Sequence, residues 1–155
     1  MYAYKGESKS PKVLAEQACN IEINLCKEPI GKQDQYITSY GGLQHIRFNK
    51  DETVTINPIL YNKETKKALN DGLMLFYTGV TRATSSILTE QKNNIENKLE
   101  ILNKMKEQAE LVRDALRNGD FETFGKLLNE GWLLKKQITD KIANSEIDLY
   151  HKKAL

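Results

Sequence analysis

Glycine-rich loops are missing from this sequence, and their absence excludes the common ways of holding a nucleotide. The chain has nine glycines, but only Gly41 and Gly42 are adjacent, and no Gly-x-Gly-x-x-Gly or Gly-Ser-Ser run occurs. Such loops bring several backbone amides close to a phosphate group, which other loops rarely do. We therefore expect that this chain alone holds no nucleotide tightly.

Excess charge and long apolar runs are also missing. The 23 Lys and Arg residues are nearly balanced by 21 Asp and Glu residues, which leaves a formal charge of +2. So small and so evenly mixed a charge argues against a nucleic-acid partner. No apolar run approaches the roughly 20 residues that a membrane-spanning helix needs, so we expect no membrane partner.

Cysteine is scarce, and the spacing of the two residues excludes a disulfide. Cys19 and Cys26 are seven residues apart on one predicted helix, where they would share a face about 10 Å apart. We expect two reduced, buried thiols, which favours a cytoplasmic location. The first residues also lack the apolar stretch of a signal peptide.

The first part of the chain predicts helices followed by a hairpin. Ser10 is a predicted N-cap with a proline at the first helical position, and an apolar stripe continues to Cys26. A second short helix is expected over residues 32–39, and Gly41-Gly42 ends it. Two strand-like runs, 43–48 and 53–56, are separated by a polar turn, which predicts a β-hairpin.

The second part predicts mostly helix. The polar stretch Tyr61–Asp71 is the expected domain boundary, and residues 72–78 (GLMLFYT) predict a strand buried on both faces. After Thr81 the pattern indicates a helical hairpin that turns at residues 118–120 and a last helix opened by Ser145. A lone apolar strand needs partners. The chain also begins abruptly and stops in a predicted helix at Leu155, so both ends look cut. The expected fold class is α+β.

Asp34 and Glu22 are the residues that could carry chemistry. Asp34 falls in the first turn of its predicted helix, where the helix dipole favours a negative charge. Such a carboxylate could take a proton from a substrate hydroxyl during phosphoryl transfer, or it could simply complement the dipole at the surface. Glu22, twelve residues earlier, could bind magnesium or be an ordinary solvated helix residue.

The sequence around these carboxylates resembles a known enzyme family. Glu22, then Gly31-x-x-Asp34-Gln35-Tyr36, then Tyr40-Gly41-Gly42, is similar to the GHMP small-molecule kinases, which include galactokinase, homoserine kinase and mevalonate kinase. The stretches 73–88 and 128–136 resemble most closely the D-glycero-D-manno-heptose phosphate kinases, the sugar-phosphate branch of that family.

This resemblance implies an architecture and roles for the two carboxylates. Residues 1–62 would be the C-terminal part of the kinase N-terminal (catalytic) domain, and residues 63–155 the N-terminal part of the C-terminal domain. Asp34 would be the catalytic base and Glu22 the magnesium ligand. ATP and Mg²⁺ would be the cofactors of the intact enzyme. The family's N-terminal substrate motif, its Gly-Leu-Gly-Ser-Ser loop and its C-terminal glycine-rich stretch do not occur here.

The resemblance also implies a set of substrate contacts. These are Gln35, Tyr40, Gly41, Gly42, Thr78, Gly79, Thr81 and Arg82. Backbone amides, hydroxyls and the guanidinium after a buried strand could bind a phosphate or sugar oxygens. The alternative is that Thr81 is only a helix N-cap and that Arg82 is exposed. Trp132 is better interpreted as core of the helical hairpin than as a ligand platform.

Three functions follow from these patterns. The favoured one is ATP-dependent phosphorylation of a sugar or sugar phosphate by an intact protein of which this chain is an inactive fragment. The second is the same family with another acceptor, such as galactose or a mevalonate-like alcohol. The third is a non-catalytic, truncated helical interaction module. In each case we expect exposed apolar surface to promote self-association.

Overall fold

The chain contains two compact units. The computed structural model describes residues 2–79, 88, 95–139 and 142–155, and its contacts divide into Met1–Ile59 and Leu60–Leu155. Helices and one two-stranded antiparallel sheet make up the regular structure of the described residues. The predicted α+β class is thereby confirmed. The assignment of 1–62 and 63–155 to two kinase domains stays a prediction.

The first unit begins with a helix that changes type part-way. Helix α1 spans Pro11–Cys19, and the Ser10 hydroxyl caps it by accepting a hydrogen bond from the Val13 amide at 3.4 Å. The chain continues as a π-helix over Asn20–Leu25, where we had predicted α-helix to Cys26. The wider turn rotates the residues that follow it away from the α-helical stripe, and short π segments often occur at functional sites.

A short helix and a hairpin complete this unit. Helix α2 spans Gln33–Tyr40, and strands β1 (Gln44–Phe48) and β2 (Val54–Pro58) pair antiparallel with Ile46 opposite Ile56. The predicted hairpin is confirmed. Gly41 follows α2 with φ of +67°, a conformation that side chains with a Cβ rarely adopt, so glycine suits this exit from the helix.

The core of the first unit joins its helices to the hairpin. Ala15 and Cys19 of α1 are buried against Tyr36 of α2. Five partly buried apolar side chains pack around them: Ile23, Tyr40, Ile46, Val54 and Ile56. The Tyr36 ring stacks on Tyr40 and meets the ring of Phe48 edge-on, with centroids 6.1 Å apart. Tyr36 therefore ties the helix that carries Asp34 to both neighbouring elements.

The two thiols differ, which corrects one expectation. Both cysteines are free, as predicted, and Cys19 is buried, but Cys26 is exposed. Burial raises the pKa of the Cys19 thiol. Cys26 follows the π-helix, whose wider turn removes it from the face that it would share with Cys19 in a continuous α-helix.

Within the described ranges, the second unit contains a 3-10 turn at Glu96–Lys98 and four α-helices. The α-helices are α3 (Lys63–Gly72), α4 (Leu99–Asn118), α5 (Phe121–Lys136) and α6 (Ser145–Ala154). The tight α4–α5 turn is confirmed: Gly119 has φ of +69°, and the Asp120 carboxylate accepts from the Thr123 amide at 3.0 Å. None of the helices in the described ranges is long and apolar enough to cross a membrane.

Two predictions in this unit need correcting in detail. The stretch Tyr61–Asp71, where we expected the domain boundary, is mostly helix α3, because the Asn62 side chain accepts from the Thr65 amide at 2.7 Å and starts a helix there. Helix α6 is capped by Asn144 and not by Ser145. In both places an asparagine N-cap one residue outside the helix satisfies an amide that has no partner within the helix.

The predicted strand at residues 72–78 was also wrong. Gly72 ends α3, and Leu73–Thr78 forms no regular element. Its apolar side chains are all more than half exposed, with Leu75 99% and Tyr77 90% exposed. A strand needs neighbouring strands to satisfy its backbone groups. The strands of the described residues are β1 and β2 of the first unit, and they pair with each other.

Candidate functional site

The structure brings Glu22 and Gln35 into direct contact. Gln35 Nε2 donates a hydrogen bond to Glu22 Oε2, which joins the π-helix to the first turns of α2. Gln35 is buried, with 6% of its surface exposed, whereas the Glu22 side chain is largely exposed. The contact places the Glu22 carboxylate beside the helix turn in which Asp34 lies.

Asp34 lies in the first turn of α2, as predicted, and is exposed. The hydroxyl of Thr38 donates to the Asp34 carbonyl oxygen, and the Ser39 hydroxyl donates to the Gln35 carbonyl at 2.7 Å. These two hydroxyls therefore engage backbone oxygens of α2. Lys32 Nζ, also nearby in sequence, pairs with Glu52 at 3.4 Å.

The end of α2 holds the other residues of this unit that we expected to contact substrate. Gly41 and Gly42 both have φ near +67°, and Gln44 Nε2 donates to the Gly41 carbonyl at 2.9 Å. Tyr40 is partly buried and stacks on Tyr36 with centroids 6.4 Å apart. These residues lie one helix length from Asp34, so α2 places the predicted contacts at its two ends. Their roles in binding stay predictions.

Among the described residues, no group of three or more His, Cys, Asp or Glu side chains could form a complete protein cage for a metal. This does not conflict with magnesium chemistry. Mg²⁺ commonly binds one or two carboxylates and completes its shell with water and substrate phosphates. The exposed Glu22 carboxylate, oriented by an amide, fits that kind of partial ligand set.

The second unit contains a mostly apolar cavity of about 650 Å³ that includes one predicted substrate residue, Thr78. Its lining comprises Phe76, Tyr77, Thr78, Trp132, Ile147, Tyr150, His151, Lys153 and Ala154. Gly79 follows with φ of +71°. Thr81 and Arg82, the other two residues expected here, lie outside the described residues.

Trp132 lines this cavity, although the sequence indicated a core position. Its ring centroid is 6.0 Å from that of His151, and Lys136 Nζ lies 5.7 Å from the indole centroid. His151 Nε2 is 2.9 Å from Asn129 Oδ1. The sequence contained no signal for this cluster, because the residues come from two helices whose pairing is decided by tertiary packing.

Two sugar kinases are similar to this chain. The D-glycero-alpha-D-manno-heptose 7-phosphate kinase of Campylobacter jejuni is 29% identical over 81% of the chain and 38% of its own length. The galactokinase of Pyrococcus furiosus is 28% identical over 92% of the chain and 46% of its own length. These similarities support a sugar kinase family. No model of a known protein family matches the chain.

The similarity covers nearly the whole chain but only part of each kinase. The chain spans less than half the length of the two curated relatives that it matches. It supports the sugar kinase part of our prediction, and the specific heptose phosphate branch stays a prediction.

Proposed function

We propose that this chain is part of an ATP-dependent kinase that phosphorylates a sugar or a sugar phosphate, with a heptose phosphate as the favoured acceptor. The similarity to two sugar kinases supports the enzyme class. The contact between Glu22 and Gln35 carries the assignment to this site, because it sets one carboxylate beside the helix turn of a second, Asp34.

In the proposed reaction Asp34 accepts the proton of the acceptor hydroxyl while the hydroxyl oxygen attacks the terminal phosphorus of ATP. The bond from that phosphorus to its bridging oxygen breaks, and ADP leaves with the electron pair. Asp34 lies exposed in the first turn of α2, where an acceptor hydroxyl can reach it. Glu22 would hold Mg²⁺ together with the phosphate oxygens. The metal ion, when bound, would neutralise the charge that develops on the transferred phosphoryl group.

The remaining residues would bind and orient the acceptor. Tyr40, Gly41 and Gly42 lie at the far end of α2 and would contact the sugar. For Thr78, Gly79, Thr81 and Arg82, substrate contact is what the family resemblance implies. Orienting the acceptor oxygen against the phosphorus accounts for a large part of catalysis in phosphoryl transfer.

The second candidate acceptor is galactose, which the similarity to a galactokinase favours. A mevalonate-like alcohol is the other acceptor alternative. A non-catalytic interaction module is favoured instead by the exposed apolar segment Leu73–Tyr77. These functions can be separated by a single set of assays.

We expect the chain by itself to show no phosphoryl transfer, because it lacks a glycine-rich loop that would surround the phosphates. A coupled assay of ADP release with ATP, Mg²⁺ and heptose phosphate measures this. Turnover by the chain alone that disappears in Asp34→Ala would contradict the prediction.

A chimera tests the enzyme class and the acceptor. In it, this chain replaces the matching stretch of the Campylobacter jejuni kinase. We expect the chimera to release ADP with heptose phosphate and much less with galactose or mevalonate. The reverse preference would assign a different acceptor. A folded chimera that binds ATP but is inert with all three would contradict the proposed function.

We also propose that segment Leu73–Tyr77 causes self-association. It has five consecutive apolar residues without proline or charge, all more than half exposed, a combination that promotes intermolecular strand pairing. Leu75→Lys should lower the apparent mass in light scattering. Leu60→Lys is the matched control, since Leu60 is 79% exposed outside the segment. A wild-type chain that is monomeric at all concentrations would contradict the proposal.

A further inference from the structure

We propose that Gln35 is a positioning residue that aims the Glu22 carboxylate at the metal ion and does not itself contact the sugar. This inference rests on the proposed function, in which Glu22 binds Mg²⁺. It changes the role that the sequence had suggested for Gln35, which was substrate contact.

The burial of Gln35 is the first argument. The side chain is 94% removed from solvent, and its Nε2 is already engaged by Glu22 Oε2. Its Oε1 is also buried and has no hydrogen-bond partner within the described ranges. A sugar hydroxyl could reach this amide only by opening the core around it, so the group is better placed to act on Glu22 than on a substrate.

The chemistry of the contact is the second argument. A carboxylate only accepts hydrogen bonds, so the atom that faces Glu22 must be the amide nitrogen. A lysine or arginine at position 35 would neutralise the negative charge of Glu22, which attracts the cation. A neutral amide orients the carboxylate and leaves its charge in place, which is how groups behind a metal ligand commonly act. The bond engages Oε2, and we assign Oε1 to the cation.

The location of Glu22 is the third argument. Glu22 lies in the π-helix and its side chain is exposed, so without a partner it would sample several rotamers in water. Gln35 lies thirteen residues later on α2, a helix held by the core through Tyr36. The contact therefore restrains the otherwise solvated Glu22 carboxylate, because it joins that carboxylate to a side chain that the core holds in place.

The test uses Mn²⁺ in place of Mg²⁺, since its paramagnetism broadens the NMR signals of nearby amides. We expect Mn²⁺ to broaden the amide signals around Glu22 and Gln35 in the wild-type chain. Gln35→Met keeps the volume and removes the donor, and it should weaken this Mn²⁺ binding about 10-fold. Gln33→Met, the same change at an exposed position of α2, should leave binding unchanged.

Further variants separate positioning from folding. Gln35→Asn keeps an amide but shortens its reach, so it should weaken binding as Gln35→Met does. Gln35→Asn also tests the positioning role if Gln35→Met does not fold. The urea unfolding midpoint of each variant is measured alongside. In a Glu22→Gln background the effect of Gln35→Met should disappear, because its target is gone.

The outcomes distinguish this inference from the proposed function. Broadening that is unchanged in folded Gln35→Met and Gln35→Asn, yet lost in Glu22→Gln, would overturn the positioning role and leave the metal site standing. Two outcomes would overturn the metal site itself and the positioning role with it. One is Mn²⁺ broadening that Glu22→Gln does not affect, and the other is a wild-type chain without broadening around Glu22.

Discussion

Asp34→Asn in the kinase chimera is expected to lower turnover about 10²- to 10⁴-fold, the usual contribution of a positioned general base. The amide has nearly the shape of the carboxylate but cannot accept the proton of the acceptor hydroxyl. Asp34 is exposed at the start of α2. The substitution should therefore reduce catalysis without unfolding the first unit. The measurement is the steady-state rate at saturating ATP and acceptor.

Asp71→Asn provides the matched control. Asp71 is another exposed helical aspartate, and its carboxylate pairs with Lys67, one turn earlier. Exposed pairs of this kind contribute little, about 0–1 kcal/mol, so turnover should stay near the wild-type value. A folded Asp34→Asn chimera that retains full turnover would remove Asp34 from the base role. Equal losses in both variants would indicate a general effect of charge.

Tyr36→Ala should destabilise the Met1–Ile59 unit by about 3–5 kcal/mol, the range for removing a large buried aromatic side chain. Tyr36 is 6% exposed and contacts the rings of both Tyr40 and Phe48. Its loss would leave a cavity between α1, α2 and the hairpin. Because small units are stable by only about 5–15 kcal/mol, much of the unit's stability would disappear.

Hydrogen exchange of the α2 amides in increasing urea measures this change. The single tryptophan, Trp132, lies in the other unit, so its fluorescence reports on that unit instead. Tyr4→Ala is the matched control, since Tyr4 is 95% exposed and its removal should cost less than about 0.5 kcal/mol. Similar losses in the two variants would show that the core does not depend on Tyr36.

The core around Tyr36 links the geometry of the candidate site to the stability of the first unit. Tyr36 directly follows Gln35, and both are buried on α2 next to the exposed Asp34. Opening this core would break the hydrogen bond between Gln35 and Glu22 and leave the Asp34 carboxylate itself unchanged. We therefore expect Tyr36→Ala to weaken Mn²⁺ broadening around Glu22 in proportion to the unfolded fraction.

Local signals in the sequence predicted the elements whose causes are local. Ser10 with the following proline marked the start of α1, and Gly119 with Asp120 marked the α4–α5 turn. The hairpin followed from two short β-branched and aromatic runs around a polar turn. The cap and turn interactions join residues within a few positions of one another, and the hairpin strands pair across a short turn, so the pattern alone is sufficient.

The Gly31-x-x-Asp34-Gln35 motif and its glutamate, together with the order of segments along the chain, indicated a sugar kinase, which the similarities support. The same sequence determined that Asp34 would start a helix. It did not determine where the Glu22 side chain would go, because that depends on how the π-helix packs against α2.

Tertiary structure alone decided the features that depend on distant partners. The run Leu73–Tyr77 has the composition of a buried strand, yet it is exposed, because composition cannot supply a neighbouring strand. The burial of Gln35 against Glu22 and the meeting of Trp132 with His151 depend on helix pairs whose contact faces are set by packing. Sequence thus determined the local elements and the motif. Packing between elements decided which side chains meet, because the energies of packing arise only once the helices are in contact.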